Sequence, residues 1–406
     1  MTRKATTLLV ALAAIGLHLA LLDRGHHGDT AVFRDWWHAT HASPDRLYTS
    51  AADVNYPILG ALFAMAPGPL GFAQSAALFH RFEKLLLLPW ALLLAFALHG
   101  AHRALGDQRA TWAWSLLLPA GWAGSLYFGQ LDGACSALQI CAAWAGTRAL
   151  AERDLRALAA GLLALQASVL VKQLAIFAYP PLFGLFVLAA VGSAAPRRAL
   201  LAVLVSPSLL LLPDAILRLP TGQHSHLLHV LLDAGPPHGQ MIGNGPGVWS
   251  FLDWPADASS TDVFALGLTP RDVGTALALA FALGLAALLW RALRSVTMAL
   301  DRAALLVFGA GALHLGLVSL LAGSHERYGL MAFALLALGG SRLGPRLVPW
   351  ILGSASVSGL YVLSTIEFDA FAFFPPIRHP AFAALFVLPL LVALARPLAA
   401  RYRPAP

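Results

Sequence analysis

Gly28-Asp29-Thr30-Ala31-Val32-Phe33-Arg34-Asp35-Trp36-Trp37 is the first polar stretch after the first apolar run, and its reading decides the fold. Upstream, Arg3 and Lys4 precede an apolar run that ends at Leu21-Leu22, followed at once by Asp23-Arg24. A basic start and an apolar run resemble a signal peptide, but no clear small-residue cleavage site follows. The run is therefore read as a first membrane helix over 5–22 with its N-terminus in the cytoplasm. Gly28–Trp37 then becomes a charged, aromatic loop just outside a bilayer. On a helix beginning near Gly28, Asp29, Phe33 and Trp36 share one face, while Arg34 and Asp35 project elsewhere. A carboxylate at such a surface can act as a general base; the plainer reading is a solvated loop in which Asp29 caps a helix.

Composition supports the membrane reading. The chain is 58% hydrophobic and only 12% charged, against about 25% charged in soluble domains, and its mean hydropathy is +0.70. Apolar runs long enough to span a bilayer recur, so residues 1–406 are read as a single all-α polytopic membrane domain. The expected spans are 5–22, 80–100, 111–128, 132–150, 157–172, 174–192, 199–217, 273–293, 303–322, 328–340, 347–365 and 380–396, about twelve in all. The stretch 57–73 is interrupted by Pro67, Gly68, Pro69 and Gly71 and reads as interfacial or re-entrant. The net charge of +7 does not imply nucleic acid, because arginine collects in cytoplasmic loops of membrane proteins. Most of the basic residues do fall in short loops on the N-terminal side of this map, which predicts both termini inside. Cys135 and Cys141 lie in one apolar run and read as core residues.

The opposite, outer side holds two long loops, 23–79 and 218–272, and four dense turns. These turns are Gly129-Gln130-Leu131-Asp132, Val171-Lys172-Gln173, Ser324-His325-Glu326-Arg327-Tyr328, and Phe374 to His379. Asp132 either faces a partner or cavity or caps the helix that starts near Gly133. Lys172 either snorkels to head groups or binds an anion. His325 and Arg327 can both donate to a phosphate; alternatively Glu326 and Arg327 form a local ion pair. Lys84 and Arg378 add further cations. Trp36, Trp37 and Trp249 suit either sugar stacking or an interfacial aromatic belt. The histidines form no HExxH motif, and Gly243–Gly247 lacks the lysine and Ser/Thr of a phosphate loop.

The order of these motifs resembles the GT-C superfamily of membrane glycosyltransferases, which use polyprenyl-phosphate sugars. The likeness is carried by Gly28-Asp29, Asn55-Tyr56-Pro57, Gly129 to Asp132, Val171-Lys172, Asn244 through Trp249, and His325-Glu326-Arg327. Among these, Gly-Asp and His-Glu-Arg are most similar to the dolichyl-phosphate-glucose-dependent glucosyltransferases, and to bacterial mannosyltransferase-like relatives. The resemblance implies inverting transfer of a hexose, glucose or mannose, to a hydroxyl of a lipid-linked or envelope glycan on the outer face of the plasma membrane. It implies Asp29 as the base, and His325, Arg327, Lys172 and Arg378 on the donor phosphate. Asp35, Trp36, Tyr56, Gln130, Asp132, Asn244, Trp249 and Glu326 are then candidate substrate contacts. Where relatives often have Tyr-Pro-Pro, this chain has Tyr56-Pro57-Ile58, with Asn55 where an acid is common and Asp53 as its substitute. No cofactor or metal is expected. The expected partners are the bilayer, the lipid-linked donor and a glycan or glycolipid acceptor. A secondary transporter is the rival class; it would place ionisable groups near the midplane, with internal symmetry.

Overall fold

The structure, a computed structural model, describes residues 3–24, 28–41, 54, 56–106, 130–217, 245–252, 261–263, 267–322, 327–365 and 372–400. The expected span 111–128 lies outside the described residues, as do Asp53, Asn55, Asn244, His325, Glu326 and the side chain of Asp29.

The described residues are helical, with no strand among them. The elements are α1 (Arg3–Ala20), α2 (Gly28–Thr40), α3 (Ile58–Ala64), α4 (Ala76–Ala104), α5 (Asp132–Glu152), α6 (Leu155–Val171) and α7 (Tyr179–Val191). They continue with α8 (Pro196–Val205), α9 (Leu212–Leu217), α10 (Pro270–Ser295), α11 (Ala299–Leu320), α12 (Leu330–Leu343), α13 (Val348–Ser364) and α14 (Pro380–Ala400).

Local chemistry sets the boundaries. Ser75 caps α4 by accepting the Leu78 N–H. Thr269 and Asp272 form a reciprocal capping box at the start of α10, with Pro270 in the first turn. Asp154 caps α6 by accepting the N–H groups of Arg156 and Ala157 at 2.8 and 3.2 Å. These donors, Ala157 foremost, hold the Asp154 carboxyl below its ordinary value. Arg153 sits at φ 57°, and the two-residue link it makes with Asp154 folds α5 back on α6.

Two expected spans are broken where proline dictates it. Proline has no backbone N–H to donate and its ring crowds the carbonyl four residues back, so it interrupts a helix or sits in the first turn of one. Over 174–192 the chain makes a 3₁₀ turn, Gln173–Phe177, before α7 opens with Pro180 and Pro181 in its first turn. Over 199–217, α8 gives way at Ser206-Pro207 to a 3₁₀ turn, Ser206–Leu210, and then to the short α9. The stretch 57–73 holds only the seven-residue α3, followed by turns and a 3₁₀ turn at Phe72–Gln74, far too short to span.

Among the described residues, five helices are long and apolar enough to cross a membrane: α4, α10, α11, α13 with its preceding turn, and α14. The 22 residues of α11 extend ~33 Å, against a hydrocarbon core of about 30 Å. The apolar stretch of α11 is 89% buried, whereas that of α10 is only 22% buried. Between its charged ends, residues 276–290 of α10 expose apolar side chains, Leu277, Leu279, Leu283 and Trp290 among them. A helix that is apolar all round and still exposed is suited to lipid, not to water.

The main core joins α4 to α7 with α10 to α14. The α11–α12 pair is among the most closely packed, and Gly339 explains part of this. A Cβ there would lie 2.6 Å from the Phe308 backbone nitrogen and 2.8 Å from the Ala304 carbonyl oxygen, so only glycine lets the backbones approach so closely. At the end of the bundle where α4 finishes, Arg342 Nε donates to Asp301 at 2.6 Å and Arg342 Nη1 to the Leu105 carbonyl at 2.8 Å. That clasp joins the ends of α4 and α12 to the start of α11.

Gly339→Ala is expected to lower stability by about 1–3 kcal/mol through overpacking. Gly284→Ala on α10, where a Cβ meets nothing within 4 Å, should be neutral or raise it by up to about 1 kcal/mol. Thermal unfolding of the two variants in the same detergent measures the contrast.

Candidate functional site

A smaller core cluster covers one end of the bundle. It contains Phe33 and Trp36 of α2, Tyr56 and Ile58 beside α3, Leu131 and Cys135 at the start of α5, Val169 and Val171 at the end of α6, and Met331 of α12. The polar site lies within it.

Lys172 follows the last residue of α6, and its extended backbone (φ −149°, ψ 124°) ends that helix. Its ammonium donates to Asp132 Oδ1 at 2.5 Å and lies 3.5 Å from Gln130 Oε1. The Lys172 and Asp132 side chains are only 3% and 5% exposed. Lys172 therefore does not snorkel to a surface. Nor does Asp132 cap its helix: the cap position is Leu131, with no side-chain hydrogen bond, and Asp132 is the first helical residue. Its carboxylate is directed at cations instead. Arg327 Nε stands 4.0 Å from Asp132 Oδ2. The Lys172 ammonium also lies 5.6 Å from the ring centroid of Tyr56 and 5.7 Å from that of Tyr328, a cation–π geometry.

Tyr56 donates its hydroxyl proton to Gln130 Oε1. Its ring packs against Phe33 at 5.7 Å and Trp36 at 5.6 Å between centroids. This aromatic group ties α2, the helix that carries Asp29 one turn before Phe33, to the Gln130–Lys172–Asp132 cluster. Thr30 of α2 also hydrogen-bonds His80 of α4 at 3.1 Å. α3 wedges against the end of α6, where a Cβ on Gly60 would lie 2.0 Å from the Val171 carbonyl oxygen. That close approach, one residue before Lys172, allows Tyr56 to reach Gln130.

Phe33 and Trp36 point inward while Asp35 is exposed, as the helical reading of Gly28–Trp37 required. Trp36 is 3% and Trp249 5% exposed, and the Trp249 indole N–H donates to the Leu320 carbonyl at 2.7 Å. In this conformation both tryptophans are packing residues, without a ring face presented to solvent. Arg378 is half-buried on the 3₁₀ turn Pro375–Arg378, which packs on α13 and α14 through Ile377. Lys84 stands apart from the other cations: its ammonium donates to the Leu21 carbonyl at 3.0 Å and to the Arg24 carbonyl, holding the end of α1 against α4.

His314 carries a role that sequence reasoning missed. It lies in the second half of α11, fully buried, and its Nε2 donates to the Tyr328 carbonyl at 3.0 Å. It thereby fixes the turn that carries Arg327 and Tyr328. The signal was available: His314 is the sole ionisable residue between Arg302 and the end of α11, and such residues in apolar helices usually have a partner or a function. His80, Glu83 and His18, all buried, were missed in the same way.

No family model and no curated protein matches the chain.

Removing one partner of a buried ion pair strands the other charge, which typically costs 3–5 kcal/mol, while replacing both with apolar residues is far milder. Lys172→Met should therefore lose about 3–5 kcal/mol of stability, and Lys172→Met combined with Asp132→Leu should recover most of it. A double-mutant cycle of thermal unfolding reads the coupling directly.

Proposed function

We propose that the chain is a polytopic GT-C-type glycosyltransferase of about twelve membrane helices with both termini inside. It transfers a hexose from a polyprenyl-phosphate donor to a glycan hydroxyl on the far side of the membrane from the cytosol. The supporting observation is convergence. Tyr56, Gln130, Asp132, Lys172 and Arg327 come from separate parts of the chain and meet at one end of the helix bundle. The aromatic contacts of Tyr56 attach to that same end the helix that bears Asp29.

The charge distribution supports this orientation. The helix ends opposite this cluster carry Arg103, Arg148, Arg153, Arg156, Arg302 and Arg342, and arginine-rich short loops mark the cytoplasmic side. The cluster sits at helix ends, not at the midplane, which favours the transferase over a transporter.

In the proposed reaction Asp29 takes the proton of the acceptor hydroxyl. The acceptor oxygen bonds to the anomeric carbon as the bond from that carbon to the phosphate oxygen breaks. The electron pair goes to the phosphate, and the configuration at carbon inverts. Lys172, Arg327, His325 and Arg378 offset the charge that develops on the phosphate. Base catalysis of this kind contributes roughly 10²–10⁴-fold.

Transfer of radiolabelled sugar from polyprenyl-phosphate glucose or mannose, in proteoliposomes holding the purified chain, tests the reading. Asp29→Asn is expected to lower turnover by at least about 10²-fold with donor binding intact, and Arg327→Ala to weaken donor binding. Near-normal turnover of Asp29→Asn removes that residue from the role of base. No transfer with either donor or their pentose counterparts overturns the reading.

A further inference from the structure

His314 occupies the interior of α11 at a cost. Among the described residues its imidazole makes one hydrogen bond, from Nε2 to the Tyr328 carbonyl at 3.0 Å. A carbonyl only accepts, so Nε2 carries a proton. The other ring nitrogen, Nδ1, is buried and has no hydrogen-bond partner among the described residues. Buried polar atoms are nearly always bonded, and one that is not calls for an explanation. A leucine would fill this position without that cost. We infer that His314 is a positioning residue: acting through Tyr328, it sets where two cations of the site, Lys172 and Arg327, stand to meet the donor phosphate. The inference rests on the proposed donor chemistry and goes beyond it, because it assigns the placement of the cations to a fully buried residue outside the phosphate-binding set.

Tyr328 is the joint. Its carbonyl is held by His314, and its ring meets both cations: the Lys172 ammonium lies 5.7 Å and the Arg327 guanidinium carbon 6.0 Å from the ring centroid, the range of cation–π contact. The turn is seated on α11. The Arg327 carbonyl accepts the Leu330 N–H at 3.0 Å, and a Cβ on Gly329 would lie 3.3 Å from the side chain of Leu315, the neighbour of His314. The imidazole reaches the Lys172 side as well. Its ring stands nearly perpendicular to that of Phe177, 5.8 Å between centroids, and Phe177 ends the 3₁₀ turn, Gln173–Phe177, that follows Lys172. The Lys172 carbonyl accepts the Ala175 N–H at 3.0 Å, which ties that turn to the lysine. One side chain thus touches both segments from which the cations project. Cations left loose would have to be ordered by the donor as it binds, whereas cations fixed in advance need not be.

Binding of a short-chain prenyl phosphate to the purified full chain in nanodiscs tests the inference, with thermal unfolding measured on the same samples. His314→Leu, which fills the site with an apolar side chain, should weaken binding by ~10-fold or more. His314→Gln, whose amide N–H reaches the Nε2 position, should restore most of the affinity. In a Tyr328→Ala background His314→Leu should cost little further affinity, because the ring through which it acts is gone. A merely structural role would lower the unfolding temperature of His314→Leu and leave the affinity of the folded protein unchanged, and that result overturns the inference. So does full additivity of the two losses in the double variant. Should His314→Leu fail to fold, His314→Asn replaces it: its amide stops at the level of Nδ1, short of the Tyr328 carbonyl, and wild-type affinity overturns the inference. If the wild-type protein binds no prenyl phosphate, the proposed function falls and this inference with it; if it binds and His314→Leu binds as tightly, only this inference falls.

Discussion

Burial of a lysine against an aspartate at the end of two helices is the constraint on which the surrounding structure depends. Either charge alone in so apolar a place would be strongly unfavourable, so Lys172 and Asp132 must meet at 2.5 Å. Their meeting fixes where α6 stops and where α5 starts. Gln130, next but one to Asp132, is then placed to accept the Tyr56 hydroxyl. Tyr56 can arrive only because α3 lies close on the end of α6, where Gly60 meets the Val171 carbonyl. Phe33 and Trp36 pack on Tyr56 in turn, which positions α2. A polar pair thus organises an apolar cluster, not the reverse.

Much of the helix map was legible because hydropathy and proline chemistry act locally. The spans read at 273–293 and 380–396 sit inside α10 and α14, and that at 303–322 overruns the end of α11 by two residues. The interruption of 57–73 by Pro67, Gly68 and Pro69 marked it as non-spanning, and α3 is short. Where window hydropathy overrode a local signal, the reading ran too long: Ser206-Pro207 ends α8, and Tyr179-Pro180-Pro181 opens α7 only after a 3₁₀ turn. The site was legible only as a set of ambiguous residues. Lys172 and Asp132, 40 positions apart, each admitted an innocuous explanation. Their pairing is long-range and leaves no trace in local periodicity. Averaging also hid single polar residues inside apolar helices, His314 above all. Of the three tryptophans that suited either sugar stacking or an aromatic belt, Trp36 and Trp249 are buried, and burial is decided by neighbours that residue type does not reveal.

The two ends of the bundle solve their polar problems differently. At one, Arg342 binds Asp301 and a backbone carbonyl of Leu105, satisfying helix ends with a long, planar donor. At the other, cations, a carboxylate, an amide and phenols are gathered in a nearly closed group. The first arrangement holds helices together. The second concentrates ionisable groups and encloses them, the feature on which the proposed transfer reaction relies.

The α11–α12 hairpin has a consequence for how the chain is made. A helix released alone into a bilayer would bring the His314 imidazole into hydrocarbon with no partner. Its partner is the Tyr328 carbonyl, on the connection between α11 and α12, only 14 residues away. The hairpin thus carries its own remedy for the one ionisable group in the interior of α11. Biosynthesis is accordingly best served by delivering the two helices to the lipid together, before the remaining helices close around the most enclosed one.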